Sequence, residues 1–373
     1  MRTVSAPLPA VGHRSQSPVA SELGCIGQLG WHRDLASSLT GARHLISREV
    51  IQMSGTESYI SYLQTDEAQA VFRLSQAVMD ALREYLGGCG FVEFLAPLVS
   101  TVTDPGLRGA ERLPVSLYNR RAYVTSSMVF HKQVLATAFG KIYAFAPNVR
   151  LEPVEHARSG RHLVEFCQLD LEEADATCED SMALAEGMLR HTISTVAGNL
   201  KPLLAALGRE LRVPSAPFKR FTYRDMLDYA ASLGLDVRYG DELPQAVESA
   251  VSREVGDFFW ITSYPKQCRG FYYRESCDEP GTVNSMDLIF PEGFGEAISG
   301  GEREYRKERV LRRITESGLD PSEFTEFLAA TEEGLRPTSG FGIGVERLVR
   351  FITGEREISK VRPFPKLPGL VSM

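Results

Sequence analysis

The chain has 373 residues, 43% of them hydrophobic and 24% charged, with a formal net charge of −7. That is enough chain for a large buried core. It holds no apolar run near the roughly 18 residues of a membrane-spanning helix, and its acidic balance argues against an extended nucleic-acid surface. The first apolar residues are interrupted by Pro, Ser, Glu and Arg, so no secretory leader is expected and the cytoplasm is the expected compartment.

Residues 1–52 are rich in Ser, Gly, Pro and Ala and carry no sustained period. They read as a disordered or non-native N-terminal extension, with Met53 as an alternative start and residues 53–373 as one folded domain. They carry five Arg against three acidic residues, so the acidic surplus lies in the remainder. Apolar residues at Ala68, Val71, Leu74, Val78, Leu82 and Leu86 recur at the helical period, and Gly87-Gly88 closes the segment. Phe91–Leu98 reads as a strand running into Pro97. Residues 141–152 and 162–173 read as the two strands of a long antiparallel hairpin. Residues 182–211 are predicted helical with a break at Pro202, and 221–235 form a further helix. Met286–Phe290 and Glu296–Ser299 are predicted strands, Tyr305–Ser317 and Pro321–Gly334 helices. Gly340–Gly344 is a glycine-rich strand entering a last helix, Glu346–Ile352, stopped at Gly354. The six cysteines form no C-x-x-C pair, so no zinc-finger framework is expected and they read as reduced, mostly buried side chains.

Three clusters carry chemistry. Alternation along a strand puts Arg150 and Glu152 on one face, and puts His162, Phe166, Gln168 and Asp170 on one face of the second hairpin strand. The other face, with Leu163, Cys167, Leu169 and Leu171, can bury in a core. An aromatic ring interrupting a charged face calls for something flat to stack on it. The second cluster is Asp287 with Glu296, two carboxylates on neighbouring strands that could share Mg²⁺, followed by Gly300-Gly301 and Arg303. The third is Gly340-Phe341-Gly342-Ile343-Gly344-Val345-Glu346-Arg347. It is neither a Walker A loop nor a dinucleotide fingerprint. Alternating glycines strip one strand face so that a flat group can lie against the backbone, with Arg347 beside it.

In this order the three clusters resemble motifs 2 and 3 of the class II aminoacyl-tRNA synthetases, with the metal strand between them, and most closely the aspartyl/asparaginyl subgroup. The resemblance rests on Asn148-Val149-Arg150-Leu151-Glu152, on Arg161-His162-Leu163-x-Glu165-Phe166-x-Gln168-x-Asp170 and on the glycine strand. Pro97 is similar to the motif 1 proline at the family's dimer interface. The resemblance covers about residues 67–353. It implies an α+β fold, a class II antiparallel β-sheet flanked by helices, in a catalytic domain that pairs as a homodimer. It also implies ATP and Mg²⁺. Arg150 would bind the α-phosphate, and Phe166 and Arg347 would sandwich adenine, with Arg347 also touching the γ-phosphate. Glu152 would help seat adenine. Arg161 and His162 would face the γ-phosphate, and Asp287 and Glu296 would hold Mg²⁺. Arg150 and Arg347 are the implied catalytic residues. On the amino-acid side, Gln168 and Asp170 would face the substrate's amino group, with Ser127 nearby, while Lys132 and Arg303 would grip a carboxylate. Two cations there favour aspartate over asparagine.

The chain departs from that pattern in two places. Val129 stands where the family carries a glutamine at the substrate amino group. About 66 residues precede the first core helix, too few for the family's anticodon-binding OB barrel, so no barrel is expected. Both features, with the Ser-Ser-Met…His-Lys-Gln stretch, resemble archaeal-type asparagine synthetases related to asparaginyl-tRNA synthetase. That resemblance implies activation of aspartate and transfer to ammonia or a small amine, giving asparagine, AMP and pyrophosphate, with tRNA an improbable partner. The alternatives are an aspartyl/asparaginyl-tRNA synthetase-like enzyme or paralogue, and an adenylating ligase joining aspartate or an analogue to another amine. Retention of Arg150, Glu296 and Arg347 argues against a non-catalytic relative.

Overall fold

A computed structural model describes residues 59–106 and 109–370. The expectations about residues 1–52, including disorder and the missing barrel, therefore lie outside the described residues. Among the described residues there is no closed barrel.

The strands are β1 (Val92–Glu93), β2 (Val99–Ser100), β3 (Pro114–Leu117), β4 (Arg120–Val124), β5 (Lys141–Val149), β6 (Glu165–Ala174), β7 (Lys219–Thr222), β8 (Phe259–Thr262), β9 (Ser285–Phe290), β10 (Gly295–Glu302) and β11 (Thr338–Gly344). Eight of them form one sheet in the order β1-β5-β6-β11-β10-β9-β8-β7. Every pair is antiparallel except β1 with β5 and β7 with β8, at the two edges. β2, β4 and β3 form a separate small sheet. The expected α+β architecture, an antiparallel-dominated sheet flanked by helices, is the observed one.

One layer of helices covers one face of the sheet. The helix Asp66–Gly88 starts where the Thr65 hydroxyl accepts from the Ala68 N–H, with Asp66 and Glu67 in its first turn. Its apolar stripe, Val71, Leu74, Val78, Leu82 and Leu86, packs in the main core with Met182, Leu189, Ile193 and Val196 of the helix Cys178–Asn199 and with the C-terminal helix Val345–Thr353. Beneath them lie Leu169 and Leu171 of β6, Ile298 of β10, and Phe341 and Ile343 of β11. Alternation then turns the other residues of these strands to the opposite face, where the cavity lies.

Some boundaries differ from those read in the sequence, each for a local reason. The strand expected over Phe91–Leu98 shrinks to Val92–Glu93 before Pro97, which has no N–H for a ladder and whose carbonyl accepts the Thr125 hydroxyl. The first hairpin strand stops at Val149, because Leu151 leaves to bridge Glu111. The helix break falls before Lys201, leaving Pro202 in the first turn of the helix Lys201–Ala206, where its missing N–H costs little. Of the five described cysteines only Cys268 is buried; Cys277 is exposed and the others are half-buried. No helix of the described residues is long and apolar enough to cross a membrane.

Candidate active site

A cavity of about 370 Å³ opens on the polar face of β6, β10 and β11. Twelve of the thirteen residues singled out in the sequence line it: Ser127, Lys132, Arg150, Glu152, Arg161, His162, Phe166, Gln168, Asp170, Glu296, Arg303 and Arg347. Asp287 does not.

Its floor is an alternating row on β6. Gln168, Asp170 and Glu172 share a face, and the register sets them opposite Gly344, Gly342 and Gly340 of β11. Sequence reasoning gave those glycines to a flat ligand; Gly340 and Gly342 also make room for the row itself. A Cβ on Gly340 would sit 2.4 Å from Glu172 Oε2, and one on Gly342 3.0 Å from Asp170 Oδ1. Glu172, missed in the sequence, is wholly buried. It accepts from Arg303 at 3.0 and 3.3 Å and from the Thr338 hydroxyl at 2.8 Å. Lys132, on the helix Val129–Phe139, lies 3.5 Å from Glu172 and donates to Asp170 Oδ1 at 2.9 Å and to the Phe341 carbonyl at 3.0 Å. The two buried cations are therefore matched by two buried carboxylates. Asp170 Oδ2, also buried, has no hydrogen-bond partner in the described structure. A buried carboxylate oxygen left open at a cavity is a place for a cationic donor. Gln168 is oriented by Asn148, whose amide donates to its carbonyl at 2.8 Å.

The other end is guanidinium-rich. Arg150 anchors its Nε–H on the Ser126 carbonyl at 3.1 Å, holds its Cζ 5.2 Å from the Phe166 ring centroid, and makes no ion pair among the described residues. Arg347 leaves the start of the helix Val345–Thr353 and pairs with Glu296 at 3.1 Å. Arg161 is buried and donates to Glu248 at 3.0 Å. His162 is pushed down to about 2, first by burial and then by Arg347 and Arg161, so it is neutral. Its Nδ1 lies 2.6 Å from the Ser159 hydroxyl. Glu152 meets His156 Nδ1 at 2.9 Å. Val129, 3% exposed, lines the wall and packs in a second apolar cluster with Val102, Phe130 and Phe271.

Asp287 and Glu296 do not form the facing pair expected from sequence. Asp287 is opposite Ser299, while Glu296 is opposite Ile289 across an irregularity in the β9–β10 ladder. Asp287 accepts from Arg269 at 2.5 Å, and Arg269 also holds Glu242 at 2.9 Å. Of the two, only Glu296 lines the cavity, so the fit of the expected pair to Mg²⁺ is partial: one carboxylate, for an ion that usually keeps waters and phosphate ligands.

Sequence reasoning gave no role to Glu172, Glu248, Arg269 or Glu346. Glu172 continues the i, i+2 face already noted on β6 and was readable. Glu346 accepts both from the Cys167 N–H at 3.0 Å and from Arg362, and burial raises its pKa. Glu248 and Arg269 reach the site only through tertiary packing.

A family profile described as tRNA synthetases class II (D, K and N) matches residues 52–368. The chain is 35% identical over 306 residues to the aspartate–tRNA(Asp/Asn) ligase of Methanopyrus kandleri, covering 82% of this chain and 69% of that protein. It is 30% identical over 311 residues to the asparagine–tRNA ligase of Pyrococcus furiosus, covering 83% and 70%. Among solved structures, asparaginyl-tRNA synthetase from Pyrococcus horikoshii complexed with asparaginyl-adenylate is similar at a TM-score of 0.79 and 29% identity, over 84% of this chain and 72% of that one. These relatives overturn two expectations. Ammonia as acceptor is not supported, because the relatives are tRNA ligases. The judgement that tRNA is an improbable partner falls with it. It rested on net charge, which averages over the whole surface and does not report a local groove, and on the expected lack of an anticodon-binding barrel, which lies outside the described residues. Val129, which stands where the family has a glutamine at the substrate amino group, packs in an apolar cluster.

Proposed function

Because the chain belongs to the class II tRNA synthetases of the D, K and N group, we propose that it is an AMP-forming ligase that activates aspartate with ATP and transfers it to tRNA. The observation that carries this reading is the polarity of one cavity. At one end an arginine without an ion pair among the described residues lies over a ring; at the other, two buried cations stand beside an open carboxylate oxygen. That is the arrangement for a nucleotide at one end and an amino acid at the other.

In this reading Phe166 carries adenine on its face and Arg347 closes over it, releasing Glu296. Glu152 seats the base edge. Arg150 meets the α-phosphate, where charge develops as the amino-acid carboxylate attacks and pyrophosphate departs. Arg161 lies toward the departing phosphates as a donor, with the neutral His162 ring beside it. Asp170 Oδ2 takes the substrate ammonium beside Gln168. Lys132 and Arg303 face the side-chain carboxylate, which favours aspartate; asparagine, the substrate in the names of several relatives, is the second reading. Mg²⁺ held through Glu296 would neutralise charge on the phosphates. In the second step a terminal ribose hydroxyl of tRNA attacks the adenylate carbonyl and AMP leaves. No protein nucleophile is required.

The expected homodimer is supported by an exposed apolar strip at the β1 edge. Leu95 is 99% exposed, Leu98 57% and Phe139 58%, which is unusual for a chain that stands alone. The test of activation is amino-acid-dependent ATP–pyrophosphate exchange. Exchange with aspartate and not asparagine supports the assignment. Exchange with asparagine alone moves it to the second reading, and exchange with neither overturns it.

A further inference from the structure

The turn joining β5 to β6 contains a group of side chains whose convergence with His156 the proposed reaction does not explain. The sequence from Glu152 to His162 is Glu-x₃-His-x₅-His, and the second spacing lies within the range of histidine pairs that ligate zinc. In the structure the Glu152, His156 and His162 ligand atoms all lie within 4.8 Å of one another. The two imidazoles stack, with ring centroids 4.5 Å apart and 21° between planes. The turn is closed by Gly160 in the left-handed region, at φ 65°.

The hydrogen bonds around Ser159 fix which nitrogen of His162 is free. The Ser159 hydroxyl donates to the His156 carbonyl at 2.7 Å. Its oxygen must therefore accept from His162 Nδ1, at 2.6 Å, as it does from the Arg161 N–H at 3.2 Å. His162 then carries its proton on Nδ1 and presents a lone pair at Nε2. A ligating histidine commonly has this form, with the remote nitrogen donating to a fixed oxygen. The neutral ring needs no deprotonation to bind. Glu152, already hydrogen-bonded to His156, supplies the negative charge.

We propose that Glu152, His156 and His162 form a three-ligand site for a zinc-class divalent cation, with a fourth position open to the cavity. Mixed imidazole and carboxylate donors suit zinc and its neighbours, not Mg²⁺. Tetrahedral bonds of about 2.0–2.1 Å bring donor atoms to about 3.4 Å apart, so side-chain rotation of roughly 1.5 Å closes the site. The consequence rests on the nucleotide reading given above. Glu152 and His162 are the residues that reading assigns to ATP, so a bound ion withdraws both, and zinc and ATP exclude each other.

The test separates the two claims. Binding of Co²⁺, followed by its visible d–d absorption in the nucleotide-free protein, and of Zn²⁺, by competition with a chromophoric chelator, are compared in the wild type and in H156A. The variant keeps every cysteine, so thiol binding cancels. One ion per chain is expected in the wild type, without a thiolate charge-transfer band, and weakened about 100-fold or more in H156A. Equal binding by wild type and variant, or none by the wild type, overturns the site whatever the reaction is. Ser159→Ala, which leaves all three ligands in place, should weaken binding about 10- to 100-fold; an unchanged affinity overturns the assigned role of Nδ1. ATP added to the Co²⁺ form should abolish the band. If the band persists at saturating ATP, the exclusion is wrong while the metal site stands.

Discussion

Replacing Glu172 with glutamine tests the ion balance beneath the amino-acid end of the cavity. The amide keeps the shape of the side chain and removes its charge. Oε1 accepts from Arg303 Nε and from the Thr338 hydroxyl, and Oε2 faces Arg303 Nη2 and the Lys132 ammonium at 3.5 Å. Whichever way the amide is turned, its NH₂ meets donors. Arg303 loses its carboxylate, and Lys132 keeps only Asp170 and the Phe341 carbonyl. Breaking a buried ion pair from one side costs about 3–5 kcal/mol, a large part of the roughly 5–15 kcal/mol of a typical domain. The assay is the urea midpoint at fixed protein concentration, with unchanged slope, for E172Q, K132M and the double variant. Removing Lys132 should relieve part of the cost, giving a coupling of about 1–3 kcal/mol. A cost for E172Q below about 1 kcal/mol, with additive variants, would refute the charge balance described for the floor.

Arg150→Met removes the cation at the α-phosphate and should lower exchange about 10²- to 10³-fold while leaving the urea midpoint within about 0.5 kcal/mol; equal losses of stability and activity would mean a structural role. Phe166→Leu keeps an apolar side chain but not a stacking face. The KM for ATP should rise roughly 5- to 150-fold, from about 1–3 kcal/mol of stacking, with kcat little changed. His162 stays neutral when folded but takes a proton below its ordinary value of 6.5 when unfolded. Stability should therefore fall as pH drops from 6.5 towards 2, by up to about 2 kcal/mol at pH 5 from this group, and the slope should flatten in H162N; an unchanged slope contradicts its burial as the neutral form. Leu95→Glu should shift the protein to a monomer in light scattering, and an unaltered mass would place the subunit interface elsewhere.

Much of this site was legible because β-strand alternation is rigid. Once 162–173 was read as a strand, Phe166, Gln168 and Asp170 had to share a face, and Leu169 and Leu171 had to face the core. The same rule extended two residues reaches Glu172, which alternation places on the face of Gln168 and Asp170. What alternation cannot give is register between distant strands. Asp287 and Glu296 looked like a pair, but the ladder sets Asp287 opposite Ser299, and Arg269, from a loop with no periodic signal, holds it. The short strands β3, β4, β7 and β8 carry too few residues to show a period. The acceptor was misjudged because it was argued from overall charge, from an expected lack of the anticodon barrel and from a resemblance carried by a few residues, none of which describes the surface a large partner meets.

The central claim is that this cavity makes an aminoacyl-adenylate destined for tRNA. The most direct measurement is a single-turnover quench. The enzyme is loaded with ATP and radiolabelled aspartate, total tRNA is added, and label is followed from adenylate to RNA. The account predicts adenylate before addition and label in an alkali-labile ester at the tRNA terminus after it. Adenylate that forms but is never depleted by tRNA, or label that reaches RNA with no prior adenylate, would contradict it.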